Sequence, residues 1–151
     1  MKYQATTTRI FLVIAFCMAF TFTGMAQGKT AKVKDINFIE DAWSEALKQA
    51  AAQNKYIFVD AYASWCGPCK MLRNTTFKDS KIVAFFNQNF VNISIDMEKG
   101  VGPQLSNTWQ IQAYPTLIIL NSKGKPVLGT VGYIDAKELM RFAEQGLAKK
   151  M

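Results

Sequence analysis

The sequence predicts an α/β domain of three layers, with a central, mainly parallel sheet that closes in an antiparallel C-terminal hairpin. Three observations carry this expectation. Short β-rich runs alternate with segments of helical periodicity, which implies crossover connections between parallel strands. The runs YIFVDA (Tyr56 to Ala61) and TLIIL (Thr116 to Leu120) are almost continuously apolar, as strands covered on both faces are. The turn-forming NSKG at Asn121 to Gly124 separates TLIIL from a further run at Pro126 to Val131, the pattern of a hairpin. This reading places one domain over residues 36–151, a flexible lead-in over 27–35 and a signal peptide over 1–26.

The N-terminal segment has three parts. Met1 to Arg9 is polar and basic, Ile10 to Phe22 is an apolar run of thirteen residues, and Gly24 and Ala26 supply small residues before a cleavage point after Ala26. The run is short for a bilayer span. Cleavage removes Cys17, leaves Cys66 and Cys69 as the only cysteines, and lowers the formal charge from +7 to +5 by taking away Lys2 and Arg9. The alternatives are a buried N-terminal helix or an uncleaved anchor.

Along the rest of the chain, a short strand is expected at Ile36 to Phe38. Trp43, Ala46, Leu47 and Ala50 fall at i, i+3, i+4, i+7 and predict a helix over Asp41 to Asn54. The central strand Tyr56 to Ala61 follows. A helix then starts at Gly67 or Pro68 and continues through MLRNTTF, and Asp79 caps the next one through SKIVAFFNQ. Val91, Ile93 and Ile95 alternate with Asn92 and Ser94 to give a strand. Pro103 to Trp109 forms a short helix, and after the hairpin Asp135 and Glu138 have the spacing of a capping box for a last helix that buries Leu139, Phe142, Ala143 and Leu147.

The chain has 151 residues, three cysteines and no histidine. Its lysines are scattered and show no basic run interleaved with aromatics, which speaks against a nucleic-acid groove and for a solvated surface. Three readings compete for Cys66-Gly67-Pro68-Cys69. A metal site needs about two more ligands, and without histidine or another mature cysteine only carboxylates remain. A purely structural disulfide closes so small a loop that it restrains the unfolded chain little. A redox pair fits the local physics: proline suits the first helical turn, and unpaired N–H groups with the helix dipole favour a thiolate on Cys66. Cys66 is then the nucleophile, and Cys69, one turn further along, the resolving thiol.

The segment FVDAYASWCGPCKM resembles the active site of thioredoxins, and the order of elements is similar to the thioredoxin fold over Ile36 to Leu147. The helix-rich lead-in and the TF-x-D segment at Thr76, Phe77 and Asp79 resemble the C-terminal thioredoxin-like domain of bacterial membrane electron transporters. The resemblance implies that Asp60, six residues before Cys66, accepts the proton of the resolving cysteine. It implies a cis bond at Tyr114-Pro115, where Tyr114 and Pro115 meet substrate backbone, and a close backbone approach at Gly132. Trp65 offers an apolar contact surface, Gly67 and Pro68 form the active-site loop, and Lys70 favours the Cys66 thiolate or is simply solvated. Two positions depart from the family. Counting back from Asp96, the lysine that many members place near the buried aspartate is Asn92 here, which leaves the tuning of Asp60 open. Tyr114 stands where an aliphatic residue or threonine is usual.

These features predict an exported thiol–disulfide oxidoreductase that reduces protein disulfides, works without metal or organic cofactor, and is favoured as a monomer. Because the periplasm is oxidising, a reductant there needs a membrane-embedded electron donor. The alternatives are a disulfide oxidase or isomerase of exported proteins, and a non-catalytic binding or assembly module of the same fold.

Overall fold

The computed structural model describes residues 34–149, so the expected signal peptide and the lead-in up to residue 33 lie outside the described residues. Five strands form one sheet: β1 (Phe38–Glu40), β2 (Tyr56–Tyr62), β3 (Phe90–Asp96), β4 (Thr116–Leu120) and β5 (Pro126–Val131), in the order β1-β3-β2-β4-β5. The helices are α1 (Trp43–Gln53), α2 (Gly67–Asn74), α3 (Ser80–Asn89), α4 (Gly102–Trp109) and α5 (Ala136–Ala148), with one 3-10 turn at Thr76–Lys78.

β1, β3 and β2 pair in parallel, whereas β4 pairs antiparallel with both β2 and β5. β4 alone therefore runs against the other strands described. The expected hairpin is present, and the β2–β4 contact is a second antiparallel pairing that the sequence reading did not place. Helix length accounts for it. The eight residues of α4 advance about 12 Å, roughly half the length of the seven-residue β2, at about 3.3 Å per residue. The chain thus re-enters the sheet at the end where β3 left it, and Thr116 pairs with Ala61 at the C-terminal end of β2.

Strand alternation sorts the apolar side chains into two layers. Ile57, Val59 and Ile118 face α1 and α4 in a core that includes Ala46, Ala50 and Leu105. Phe58, Leu117 and Ile119 face the other side and pack with Leu72, Phe86 and Leu139 from α2, α3 and α5. Phe58 and Phe86 meet edge to face with ring centroids 4.6 Å apart, a favoured aromatic geometry. Asn92 and Ser94 are buried with the rest of β3, so their alternation with Val91, Ile93 and Ile95 separates two covered faces and not core from solvent.

The expected caps form where their residues sit. Asp79 Oδ1 accepts the N–H groups of Lys81 and Ile82, and Asp135 and Glu138 make both bonds of a capping box. Two expectations shift. The first strand begins at Phe38 and not at Ile36, because Phe38, Ile39 and Glu40 are in register with Asn92, Ile93 and Ser94, while Ile36 turns into the core. The helix through MLRNTTF stops at Asn74, where Thr75 leaves helical geometry and its hydroxyl donates to the Met71 carbonyl at 2.7 Å.

α4 begins against the end of β3 with no room for a side chain. A β-carbon on Gly102 would lie 2.1 Å from the Asp96 carbonyl oxygen and 2.7 Å from Met97 Cα, both backbone atoms. Gly102→Ala is expected to destabilise the fold by about 2–3 kcal/mol, as overpacking against an unyielding partner does, read as a lowered urea midpoint with an unchanged slope.

Candidate active site

β2 ends at Tyr62, and four residues later the chain turns into α2 at Cys66. Cys66 is the N-cap: its backbone is extended, its N–H donates to the Ala63 carbonyl at 3.0 Å, and its Sγ accepts the N–H of Cys69 at 3.2 Å. Gly67 and Pro68 occupy the first turn, where the missing N–H of proline costs nothing. Cys66 and Cys69 are joined in a disulfide. Burial does not distinguish the two sulfur-bearing residues, since each is 2% exposed. Their places on the helix do. Cys66 receives the free N–H groups and the positive end of the helix, the setting that stabilises a thiolate once the bond is reduced.

Ala63, Tyr62 and Tyr114 pack around the pair. The Tyr114-Pro115 peptide bond is cis. Pro115 immediately precedes β4, which the short α4 delivered to this end of the sheet, and its carbonyl accepts the N–H of Gly132 at 2.8 Å. Gly132 has φ of 96°, a left-handed conformation that favours glycine, with open space where a β-carbon would stand. Positive φ is thus the observed demand at this position, and no close contact is. Trp65 is 66% exposed, meets the Tyr114 ring edge-on at 6.0 Å, and donates its indole N–H to the Glu98 carboxylate at 2.9 and 3.0 Å. Val131 and Tyr133, on either side of Gly132, are exposed as well. Lys70 is exposed on α2.

Asp60 lies in β2 on the face covered by α2, 1% exposed. Its partner across the sheet is Ser94, whose hydroxyl donates to Oδ2 at 2.9 Å. Arg73 reaches down from α2, and its Nε and Nη2 donate to the same oxygen, each at 3.2 Å. Asn92 is two residues earlier in β3, opposite Phe58, and donates to the Phe86 carbonyl. The position of the expected lysine is therefore away from Asp60, and the cation comes from the helix. Burial pushes the Asp60 carboxyl above the usual carboxylate range, and Arg73 and Ser94 pull it back part of the way.

Sequence reasoning missed Arg73, Ser94 and Glu98. A signal for Arg73 existed: it follows Cys69 by four residues, so both occupy one face of α2, the face that must meet β2. Glu98 had none, because it depends on where the loop after β3 passes.

A disulfide across a Cys-x-x-Cys turn at a helix N-terminus, a cis-proline beside it and a buried carboxylate on the central strand define the class of thiol–disulfide oxidoreductase domains. The sequence agrees: residues 43–147 match the thioredoxin-like domain family, and the chain belongs to that family. It is 33% identical over 102 residues to the thiol:disulfide interchange protein DsbD of Campylobacter jejuni, covering 66% of this chain and 18% of that protein, so the chain spans about a fifth of its relative's length. It is 35% identical over 92 residues to thioredoxin H-type 2 of Nicotiana tabacum, covering 61% of this chain and 72% of that protein. Among solved structures, one from Bacteroides thetaiotaomicron, given the provisional name disulphide-isomerase, superposes with a TM-score of 0.69 at 43% identity, over 80% of this chain and all of that one.

The raised Asp60 pKa sets a sign for stability. A carboxyl that holds its proton more tightly when folded favours folding below the ordinary carboxylate range, and this contribution is lost as pH rises through the folded-state value. Asp60→Asn removes the buried charge and keeps the shape. It is expected to be more stable than the parent at pH 8, with the gain shrinking toward zero near pH 3, checked by urea unfolding across that range.

Proposed function

We propose that this chain is an exported reductant of protein disulfides. The observation that carries the reading is the Cys66–Cys69 disulfide at the N-terminus of α2 with Asp60 buried under the same helix. In the reduced enzyme the Cys66 thiolate attacks a substrate disulfide, forming a mixed disulfide and releasing one substrate thiol. Cys69 then gives up its proton, attacks Cys66 Sγ and releases the second substrate thiol. Asp60 is the proton acceptor in this second step. Two electrons pass from enzyme to substrate, and the enzyme is left with the disulfide seen here. Trp65, Tyr114, Pro115 and Gly132 form the surface that a substrate backbone meets, in the manner of strand addition.

The N-terminal pattern of residues 1–26 supports export, and no helix among the described residues is long and apolar enough to cross a membrane. A reductant in an oxidising compartment needs a supply of electrons. A membrane-embedded donor is the partner we assign, and the similarity to DsbD supports it. A second reading, an isomerase of exported proteins, draws support from the provisional name of the Bacteroides structure at 43% identity. A binding module with incidental cysteines would keep its partner when both cysteines are serine.

The deciding measurement is the redox potential of residues 27–151, equilibrated against dithiothreitol or glutathione while Trp65 fluorescence follows the disulfide. A value near about −270 mV is expected for a reductant, and one near about −120 mV overturns that reading in favour of a disulfide donor. Cys66→Ser is expected to reduce protein-disulfide reduction to the uncatalysed rate. Cys69→Ser is expected to accumulate the mixed disulfide, visible as a shifted band on a non-reducing gel.

A further inference from the structure

We infer that Arg73 is a positioning residue for the resolving step, holding the Asp60 carboxylate with one oxygen engaged and the other free to take the Cys69 proton. The inference rests on the reading of Asp60 as proton acceptor. Three donors converge on Asp60 Oδ2: Arg73 Nε and Nη2 and the Ser94 hydroxyl. Arg73 Nη2 also donates to Ser94 Oγ, which closes the network on itself. Oδ1 is buried with no hydrogen-bond partner among the described residues. A buried acceptor left open beside a fully occupied one is costly, and here it lies under the helix that carries Cys69 one turn before Arg73.

The guanidinium is held on its other faces too. It stacks over the Tyr62 ring, 3.8 Å from the centroid, and lines a cleft of about 160 Å³ with Phe38, Glu40, Phe77 and Lys78. Arg73 is thus the solvent-side wall of the Asp60 site. A planar fork fixes the carboxylate plane as a flexible ammonium does not. The other charges that act here are Glu40 at the end of β1, which feels both Arg73 and Asp60, and Asp41 just beyond it. From β4 the residue facing Asp60 is Leu117, which carries no charge.

In the step itself, the proton of the Cys69 thiol passes to Asp60 Oδ1, Cys69 Sγ bonds to Cys66 Sγ, and the bond between Cys66 and the substrate sulfur breaks with the electron pair leaving on the substrate thiolate. Arg73 neither receives the proton nor touches the sulfurs. It keeps Asp60 ionised and turned.

The test is the pH dependence of resolution, followed as decay of the mixed disulfide in the full mature chain, for the parent, Arg73→Met, Arg73→Lys and Asp60→Asn. Arg73→Met is expected to move the midpoint to higher pH and to slow resolution near pH 6.5 on the order of tenfold, the equivalent of one unit of acidity, so that the mixed disulfide accumulates. Arg73→Lys, which restores the charge but not the fork, is expected to recover the midpoint in large part while resolution above the midpoint stays slower than in the parent, which separates the charge from the positioning. An unchanged midpoint in Arg73→Met, with the limb abolished in Asp60→Asn, overturns the role of Arg73 alone. A limb that persists unchanged in Asp60→Asn overturns the reading of Asp60 and this inference with it.

Discussion

Strand β2 is hydrogen-bonded along both edges and covered on both faces, and the chemistry of this chain is placed by what leaves its C-terminal end. Six of its seven residues are buried. β3 and β4 hold it in register on either side, so the direction in which the chain emerges at Tyr62 is fixed by backbone bonds and not by the loop. Cys66 can then serve as the cap of α2 at one place, and Pro115 arrives beside it because β4 starts opposite Ala61. A one-residue slip of β2 would turn Asp60 to the other face, toward α1 and α4, and leave Arg73 unpaired.

Asp60 shows how the two demands on such a site oppose each other. A carboxylate in the core is costly unless paired, and Arg73 with Ser94 satisfies one oxygen while leaving the other without a partner. Full satisfaction would give a firmer core and, in the role proposed for Asp60, a poorer base. The half-satisfied state keeps the group responsive, and it sits where the apolar layer of Phe58 and Leu72 gives way to the cysteines.

Local chemistry was the legible part of the sequence. Asp79 and Asp135 act within three residues of themselves, and each forms the cap its neighbours announce. The strand–loop–helix around Cys66 is equally local. Illegible were the features set at long range: the sense of β4, which follows from the length of α4; the start of β1, which is set by pairing with β3; and the ion pair of Asp60, thirteen residues from Arg73 in sequence. The count back from Asp96 to Asn92 assigned a residue to Asp60 by analogy, whereas register assigns Ser94. Alternation in β3 was correctly seen, but sequence does not say that a face bearing Asn92 and Ser94 is covered by helices.

Both sulfur-bearing residues are 2% exposed, with Tyr62 and Tyr114 packed against them. Exchange requires a thiolate to approach in line with the bond it breaks, so this burial acts on rate and leaves the equilibrium untouched. Small thiols diffusing past find little sulfur to strike, whereas a protein docked on the proposed substrate surface of Trp65 and Tyr114 would bring its sulfur in at a fixed angle. For the exported reductant proposed above, kinetic insulation of this kind would keep electrons from the bulk of an oxidising compartment and make shape the gatekeeper of the traffic.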